Sequence, residues 1–219
     1  MSLEDRIHLI QAGDLHWPFE GGPRWKTRPN VGYVRENLVD PFPCYPHDMD
    51  LVTRLAEEVE YFWPVEVPPA WYLVEFEEPS RTNGWAFSGE HYNRPDRHDG
   101  HEADLEPVIA LLGKRIPIHP AMTRYLVGHE YGHVVDYFLQ RQLKLTEEKF
   151  HKEYAQMRGV ENRTDYGGQR WHTNIGEIIA NDFRVIITGL EKDFWPHPGV
   201  KHPLDSPIVV KFWKDRQPT

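Results

Sequence analysis

The chain has 219 residues, of which 39% are hydrophobic and 13% aromatic, enough for a buried core of ordinary size. Its formal net charge of −9 and its pI near 5.8 argue against nucleic acid as a main partner. The single cysteine, Cys44, excludes an internal disulfide framework. Neither a membrane-spanning apolar stretch nor a signal-peptide core is recognisable, so we expect a cytoplasmic protein without a membrane partner.

The N-terminal segment is rich in proline, glycine and aromatic residues, as in the runs at residues 16–19 and 41–46. Such runs favour irregular backbone, while the many aromatic side chains favour packing on a core over disorder. We therefore divide the chain into an irregular N-terminal arm, residues 1–47, packed on the core, and a single catalytic domain, residues 48–219.

One helix and two strands are expected next. Asp48 is suited to cap a helix that ends near Phe62 and carries an apolar face. Residues 71–77 and 84–92 are rich in aromatic and β-branched residues and flank a turn-forming segment, which predicts an antiparallel pair of strands. Residues 84–88 are our candidate for an edge strand that pairs with an extended substrate, with a plain core strand as the alternative.

A polar segment follows at residues 93–106 and contains several histidines and aspartates. This composition allows a second metal site, but we favour a solvated loop. Residues 115–119 are expected to form a short strand that leads into the next helix.

The sequence His129-Glu130-Tyr131-Gly132-His133 is an HExxH motif inside a helical pattern that begins at Pro120 and runs to Leu143. Histidines four residues apart lie on one helix face, so His129 and His133 can reach one metal ion. In this arrangement the two histidines hold Zn²⁺, and Glu130 is the general base for a zinc-activated water that hydrolyses an amide. The alternative is a chance match, because the chain has 13 histidines and many glutamates.

A catalytic zinc needs a third protein ligand, and Glu177 is the best candidate. It lies at the start of a helix predicted to run from Ile175 to Thr188 and to end near Gly189. The alternative needs no metal, because Asn174 could be the N-cap and Glu177 its capping-box partner. Two further helices are expected, one over Glu147 to Arg158 that is capped by Thr146 and stops at Gly159, and one that begins at Ser206-Pro207.

The two helical motifs, His129-Glu130-Tyr131-Gly132-His133-Val134-Val135-Asp136 and Glu177-Ile178-Ile179-Ala180-Asn181-Asp182-Phe183-Arg184, resemble the family of the anthrax lethal factor catalytic domain and the Pro-Pro endopeptidases. The linking residues Thr164-Asp165-Tyr166-Gly167 and Thr173-Asn174 also resemble it. The resemblance covers about residues 125–190.

Membership of that family implies a gluzincin with an α+β, zincin-like fold: a mixed or antiparallel sheet, the HExxH helix and a helical C-terminal part. It implies that His129, His133 and Glu177 bind zinc, with Glu130 as general base. Tyr166 would then stabilise the oxyanion or assist the leaving group. Asp136 would orient an imidazole of the site.

The chain departs from the family in two places. The spacer between Tyr166 and Glu177 is longer, which leaves His172 as an alternative to Tyr166. Asn181 stands where the family is expected to have an acidic residue.

These observations predict a zinc-dependent endopeptidase that acts on a peptide or protein. One alternative is an intracellular zinc-binding regulatory or interaction protein of the same fold with little peptidase activity. A second is a structural interaction protein in which the motif is coincidental and Glu177 only caps a helix.

Overall fold

A computed structural model of the chain describes residues 2–10, 44–75, 83–87, 107–161 and 171–218. These residues form a mixed α/β structure. The strands are β1 (Ile7–Ile10), β2 (Ala70–Val74), β3 (Gly84–Phe87) and β4 (Val108–Leu112). The helices are α1 (Met49–Phe62), α2 (Pro120–Leu143), α3 (Glu147–Arg158), α4 (Ile175–Phe183) and α5 (Pro207–Arg216). Among the described helices, none combines the length and the apolar character needed to cross a bilayer.

The four strands form one mixed sheet in the order β1-β2-β4-β3. Strands β1, β2 and β4 are parallel, with Trp71 of β2 aligned between Ile7 and Ile109. Strand β3 runs antiparallel to β4 and places Ala86 opposite Ile109. All five residues of β4 are buried, as is usual for an inner strand that is covered on both faces.

The sheet confirms the mixed arrangement but corrects the predicted strand pairing. Strands β2 and β3 are not an antiparallel pair, because β4 lies between them. The strand expected at residues 115–119 is found instead at Val108–Leu112, and Ile7–Ile10 of the predicted irregular arm also joins the sheet. The polar segment 93–106 lies outside the described residues, and the division into an arm and a domain stays a prediction.

The helix boundaries follow the capping signals of the sequence. Asp48 Oδ1 accepts a hydrogen bond from Leu51 N at 2.8 Å, and α2 begins at Pro120. Helix α3 has Thr146 as N-cap and ends at Gly159, whose φ of 67° is the left-handed conformation that glycine adopts most readily. These bounds agree with the predicted ones because capping depends on a few neighbouring residues.

The chain divides into two compact units. The first comprises Met1–Thr53 and Pro69–Thr123 and contains the sheet. Within it, buried His47 shares a 2.9 Å hydrogen bond with the hydroxyl of Thr123.

The second unit comprises Arg54–Pro68 and Arg124–Thr219, and its core is aromatic. The rings of Trp63, Phe183 and Trp213 lie with centroids 5.6–5.9 Å apart in edge-on contacts. Tyr131 is fully buried, and its hydroxyl donates a 2.8 Å hydrogen bond to the carbonyl of Trp63. The HExxH segment therefore belongs to the hydrophobic core of this unit.

Helix α3 is joined to α4 by a buried ion pair. Arg158 donates two hydrogen bonds, at 2.8 and 2.7 Å, to the carboxylate of Asp182. Tyr154 donates a third at 2.7 Å. Because removal of one partner would leave a buried charge uncompensated, this pair strongly favours one position of α4 beside α3.

Helix α2 approaches the backbone of α4 closely at Gly132. A Cβ atom at this position would lie 2.6 Å from the carbonyl oxygen of Ala180 and 2.8 Å from its Cα. These are backbone atoms that cannot rotate away, so only glycine allows this approach. Gly132 lies between His129 and His133 in sequence, and Ala180 lies three residues after Glu177.

Candidate metal centre

Helix α2 carries the HExxH residues on its buried side. His129 and Glu130 are only 3% and 4% exposed, and His133 is partly exposed. The two imidazole rings lie with centroids 4.8 Å apart and planes inclined by 79°. This is the spacing expected for side chains one helical turn apart.

Helix α4 brings the Glu177 carboxylate to these rings. Its Oε2 atom lies 3.0 Å from His129 Nε2 and 3.6 Å from His133 Nε2. The N-terminus of α4 is capped instead by Asn174, whose Oδ1 accepts a 2.9 Å hydrogen bond from Gly176 N. Asn174 is thus the predicted N-cap, while the side chain of Glu177 is directed at the histidines.

The distances from the Glu177 carboxylate to the two imidazoles match those between ligands of a tetrahedral ion. Bonds of about 2.0–2.1 Å, as in zinc sites, separate neighbouring ligand atoms by about 3.3 Å. The observed separations of 3.0 and 3.6 Å lie on either side of this value. The Oε2 atom of Glu177 is buried and lies within hydrogen-bonding distance of His129 Nε2. One ligand atom from each of the three residues lies within 4.8 Å of the other two, so the group can hold a metal ion.

Burial and mutual charge shift the pKa values of these groups when no metal is bound. Burial lowers the pKa of His129 and raises the pKa of Glu130 to about 8. Burial would also lower the pKa of His133, but the carboxylates of Glu177, Glu130 and Asp136 together outweigh burial and raise this pKa to about 9. Burial disfavours the charged form of Glu177, yet the histidines, His133 above all, hold its pKa below the usual range.

Metal affinity is therefore expected to depend on pH into the alkaline range. A histidine must be neutral to bind a metal, and the proton on His133 competes until the pH passes its pKa of about 9. We expect the apparent zinc affinity to rise by up to about tenfold per pH unit from pH 7 and to level off near pH 9. Competition with a chromophoric chelator at each pH measures this apparent zinc affinity. A plateau already at pH 7 would contradict the raised pKa of His133.

Asp136 does not orient a histidine of the HExxH motif, which corrects the prediction. Its Oδ2 accepts a 2.8 Å hydrogen bond from His151 Nε2, and its Oδ1 accepts one of 2.9 Å from Gln140. His151 lies on α3, so Asp136 joins α2 to α3 instead. The sequence could not show this, because the face of α3 that meets α2 is set by tertiary packing.

A buried polar network lies behind Glu177 and was missed by the sequence analysis. Asn181 donates from Nδ2 to the carbonyl of Glu177 and to His197 Nε2, both at 3.0 Å. Its Oδ1 accepts a 3.1 Å hydrogen bond from Arg184 Nε. His197, expected to be a loop residue, is 1% exposed, and burial lowers its pKa to about 4, so the ring is neutral.

Aromatic and cationic groups pack against His129. The ring of Tyr125 stacks on His129 with centroids 5.4 Å apart and planes inclined by 11°. Arg184 is fully buried, and its guanidinium lies over the ring of Tyr125, 4.7 Å from the ring centroid. Arg184 also donates to the carbonyl oxygens of Leu190, Glu191 and Phe194. It begins a π-helix, Arg184–Thr188, that continues α4 to Gly189, the predicted end.

Of the two candidates for oxyanion stabilisation, Tyr166 and His172, the structure describes only His172. Tyr166 lies outside the described residues, so its role stays a prediction. His172 belongs to the short 3-10 helix Trp171–Thr173, its side chain is exposed, and its carbonyl oxygen lies 3.0 Å from His197 Nδ1.

Comparison of the chain with protein-family models, with curated proteins and with solved structures finds no match in any of the three.

Proposed function

We propose that the chain is a zinc-dependent endopeptidase of zincin-like fold, a gluzincin that acts on peptide or protein substrates. The observation that carries this proposal is the grouping of His129, His133 and Glu177, whose ligand atoms lie close enough together to hold one metal ion. Glu130, which follows His129 in sequence, is buried as well. Among the described residues the group has three ligands, the number characteristic of catalytic zinc, whereas structural zinc sites have four protein ligands.

The donor set also favours zinc over harder ions. Two imidazole nitrogens and one carboxylate oxygen suit zinc, while calcium and magnesium prefer oxygen ligands alone. When bound, zinc supplies a Lewis acid that polarises the scissile carbonyl and makes a water molecule more acidic.

The residues of the chain perform the remaining chemistry. Glu130 accepts a proton from the attacking water and transfers it to the leaving amine. Burial raises its pKa to about 8 when no metal is present, and a nearby cation favours its ionised form, so it can both accept and release a proton near neutral pH. Tyr166 is the proposed oxyanion partner, with His172 as the alternative.

Strand β3 is the proposed docking site for an extended substrate. It includes four residues of the predicted segment 84–88 and, among the strands that the structure describes, lies at one end of the order β1-β2-β4-β3. An edge strand of this kind offers unpaired backbone groups to a peptide.

Cleavage of a peptide library tests the proposal. Zinc-loaded protein should hydrolyse a subset of peptides, chelation should abolish the cleavage, and added zinc should restore it. Protein that has been treated with chelator and contains no zinc serves as the control for contaminating peptidases of other classes. Stoichiometric zinc with no cleavage of any peptide would overturn the peptidase proposal and favour a zinc-binding interaction protein.

A further inference from the structure

His197 is a buried histidine that is occupied at both ring nitrogens. Its Nδ1 lies 3.0 Å from the carbonyl oxygen of His172, and its Nε2 lies 3.0 Å from Asn181 Nδ2. A carbonyl only accepts, so Nδ1 carries the proton and donates it, and Nε2 accepts from the amide of Asn181. The hydrogen bonds therefore define one tautomer of the ring.

These two bonds join both ends of the segment that carries Glu177. His172 lies just before Asn174, the N-cap of α4, and Asn181 lies one helical turn after Glu177. Asn181 also donates to the backbone carbonyl of Glu177 itself. His197 thus connects the approach to α4 with the turn that follows the third ligand.

We propose that His197 is a positioning residue for the metal centre, which acts through Asn181 to hold the first turn of α4 and so the carboxylate of Glu177 against His129 and His133. This inference rests on the proposed use of the three residues as metal ligands. Partners that fix the orientation of ligands typically affect metal affinity by about 10- to 100-fold.

His202 provides a matched comparison within the same C-terminal segment. Both His197 and His202 contact the ring of Trp195, with centroid distances of 4.8 and 5.7 Å. His202 also bonds a backbone carbonyl, that of Lys192, at 2.9 Å. Its described hydrogen bond does not involve α4, so His202 shares the packing and the type of bond but not the connection to Asn181.

Two substitutions separate the two bonds of His197. In His197→Asn, the side-chain amide replaces the Nδ1 donor to His172 but is too short to reach Asn181. In His197→Gln, the longer side chain can accept from Asn181 through its oxygen. We expect His197→Asn to weaken zinc binding by about tenfold or more and His197→Gln to weaken it less. His202→Gln should bind zinc as the wild type does.

The experiment measures zinc affinity by chelator competition and the visible spectrum of the Co²⁺-substituted protein, well below each melting temperature. A changed Co²⁺ spectrum in His197→Asn supports altered ligand placement, which a loss of stability alone would not produce. Asn181→Ala removes the same bond from the other side and should give the same loss if His197→Asn does not fold. The proposal is overturned if His197→Asn or, failing that, Asn181→Ala binds zinc with wild-type affinity, or if His202→Gln weakens binding equally.

These outcomes are distinct from a failure of the proposed function. A wild type that binds zinc but cleaves no peptide leaves the positioning role of His197 standing. A wild type that binds neither Zn²⁺ nor Co²⁺ overturns both proposals.

Discussion

Glu130→Gln is expected to lower the rate of peptide hydrolysis by about 10²- to 10⁴-fold while zinc remains bound. Glutamine has nearly the same size as glutamate, so the buried site around residue 130, which is only 4% exposed, keeps its packing. The amide cannot accept a proton from water at neutral pH, so the variant loses the general base. Because the ligand set of His129, His133 and Glu177 is unchanged, the metal should stay.

The measurement combines kcat with zinc content for the same preparations. Glu153→Gln is the control, because it removes one carboxylate from an exposed position of α3 and should leave both quantities unchanged. A fall in kcat without a change in zinc content assigns Glu130 to the chemical step. Turnover near the wild-type level in Glu130→Gln would show that Glu130 is not the base.

Local sequence signals predicted the helices that carry the candidate site. Pro120 at the start of α2, Asn174 as the cap of α4 and Gly189 at the end of its π-helical extension are each specified by a few adjacent residues. The four-residue spacing of His129 and His133 placed both rings on one helix face before any tertiary contact was considered. The grouping of Glu177 with them required the family resemblance, because spacing alone could not separate a ligand from a capping residue.

Features that depend on distant residues were not predicted. The predicted pairing of β2 with β3 was wrong because the strand between them, Val108–Leu112, was not recognised. This run is short and wholly apolar, with no alternation to mark it as a strand. His197 is surrounded in sequence by Trp195, Pro196 and Pro198, a pattern typical of an irregular loop. Its burial and its two hydrogen bonds arise only when the C-terminal segment packs on α4. A buried histidine has no local sequence signature.

The close approach of α2 and α4 explains why the site depends on small residues as well as on ligands. Gly132 lies between the two histidines in sequence and meets the backbone of Ala180, three residues after Glu177. Any larger side chain at Gly132 would push the helices apart and lengthen the distances from Glu177 to both imidazoles. The motif HExxH leaves this position free, so the requirement for glycine comes from the packing of this particular chain.

Glu177→Ala is expected to weaken zinc binding by more than about 100-fold, since loss of an outer partner alone costs about 10- to 100-fold. The carboxylate supplies one of the three ligand atoms and the negative charge that balances the ion. In the substituted protein two imidazoles remain, a set that does not complete a catalytic zinc site. The addition of zinc should therefore raise the melting temperature of the wild type but not of Glu177→Ala, because only a ligand that binds the folded state stabilises it.

Glu148→Ala is the matched control, because Glu148 lies in the first turn of α3 as Glu177 lies in the first turn of α4. Both substitutions remove a carboxylate that interacts favourably with a helix N-terminus, a contribution of about 0.3–1 kcal/mol. Only Glu177→Ala should lose zinc, as measured by elemental analysis and by the zinc-induced shift in melting temperature. Wild-type zinc content in Glu177→Ala would exclude Glu177 as the third ligand. It would also mean that the convergence of its carboxylate with His129 and His133 reflects an ion pair of the metal-free protein.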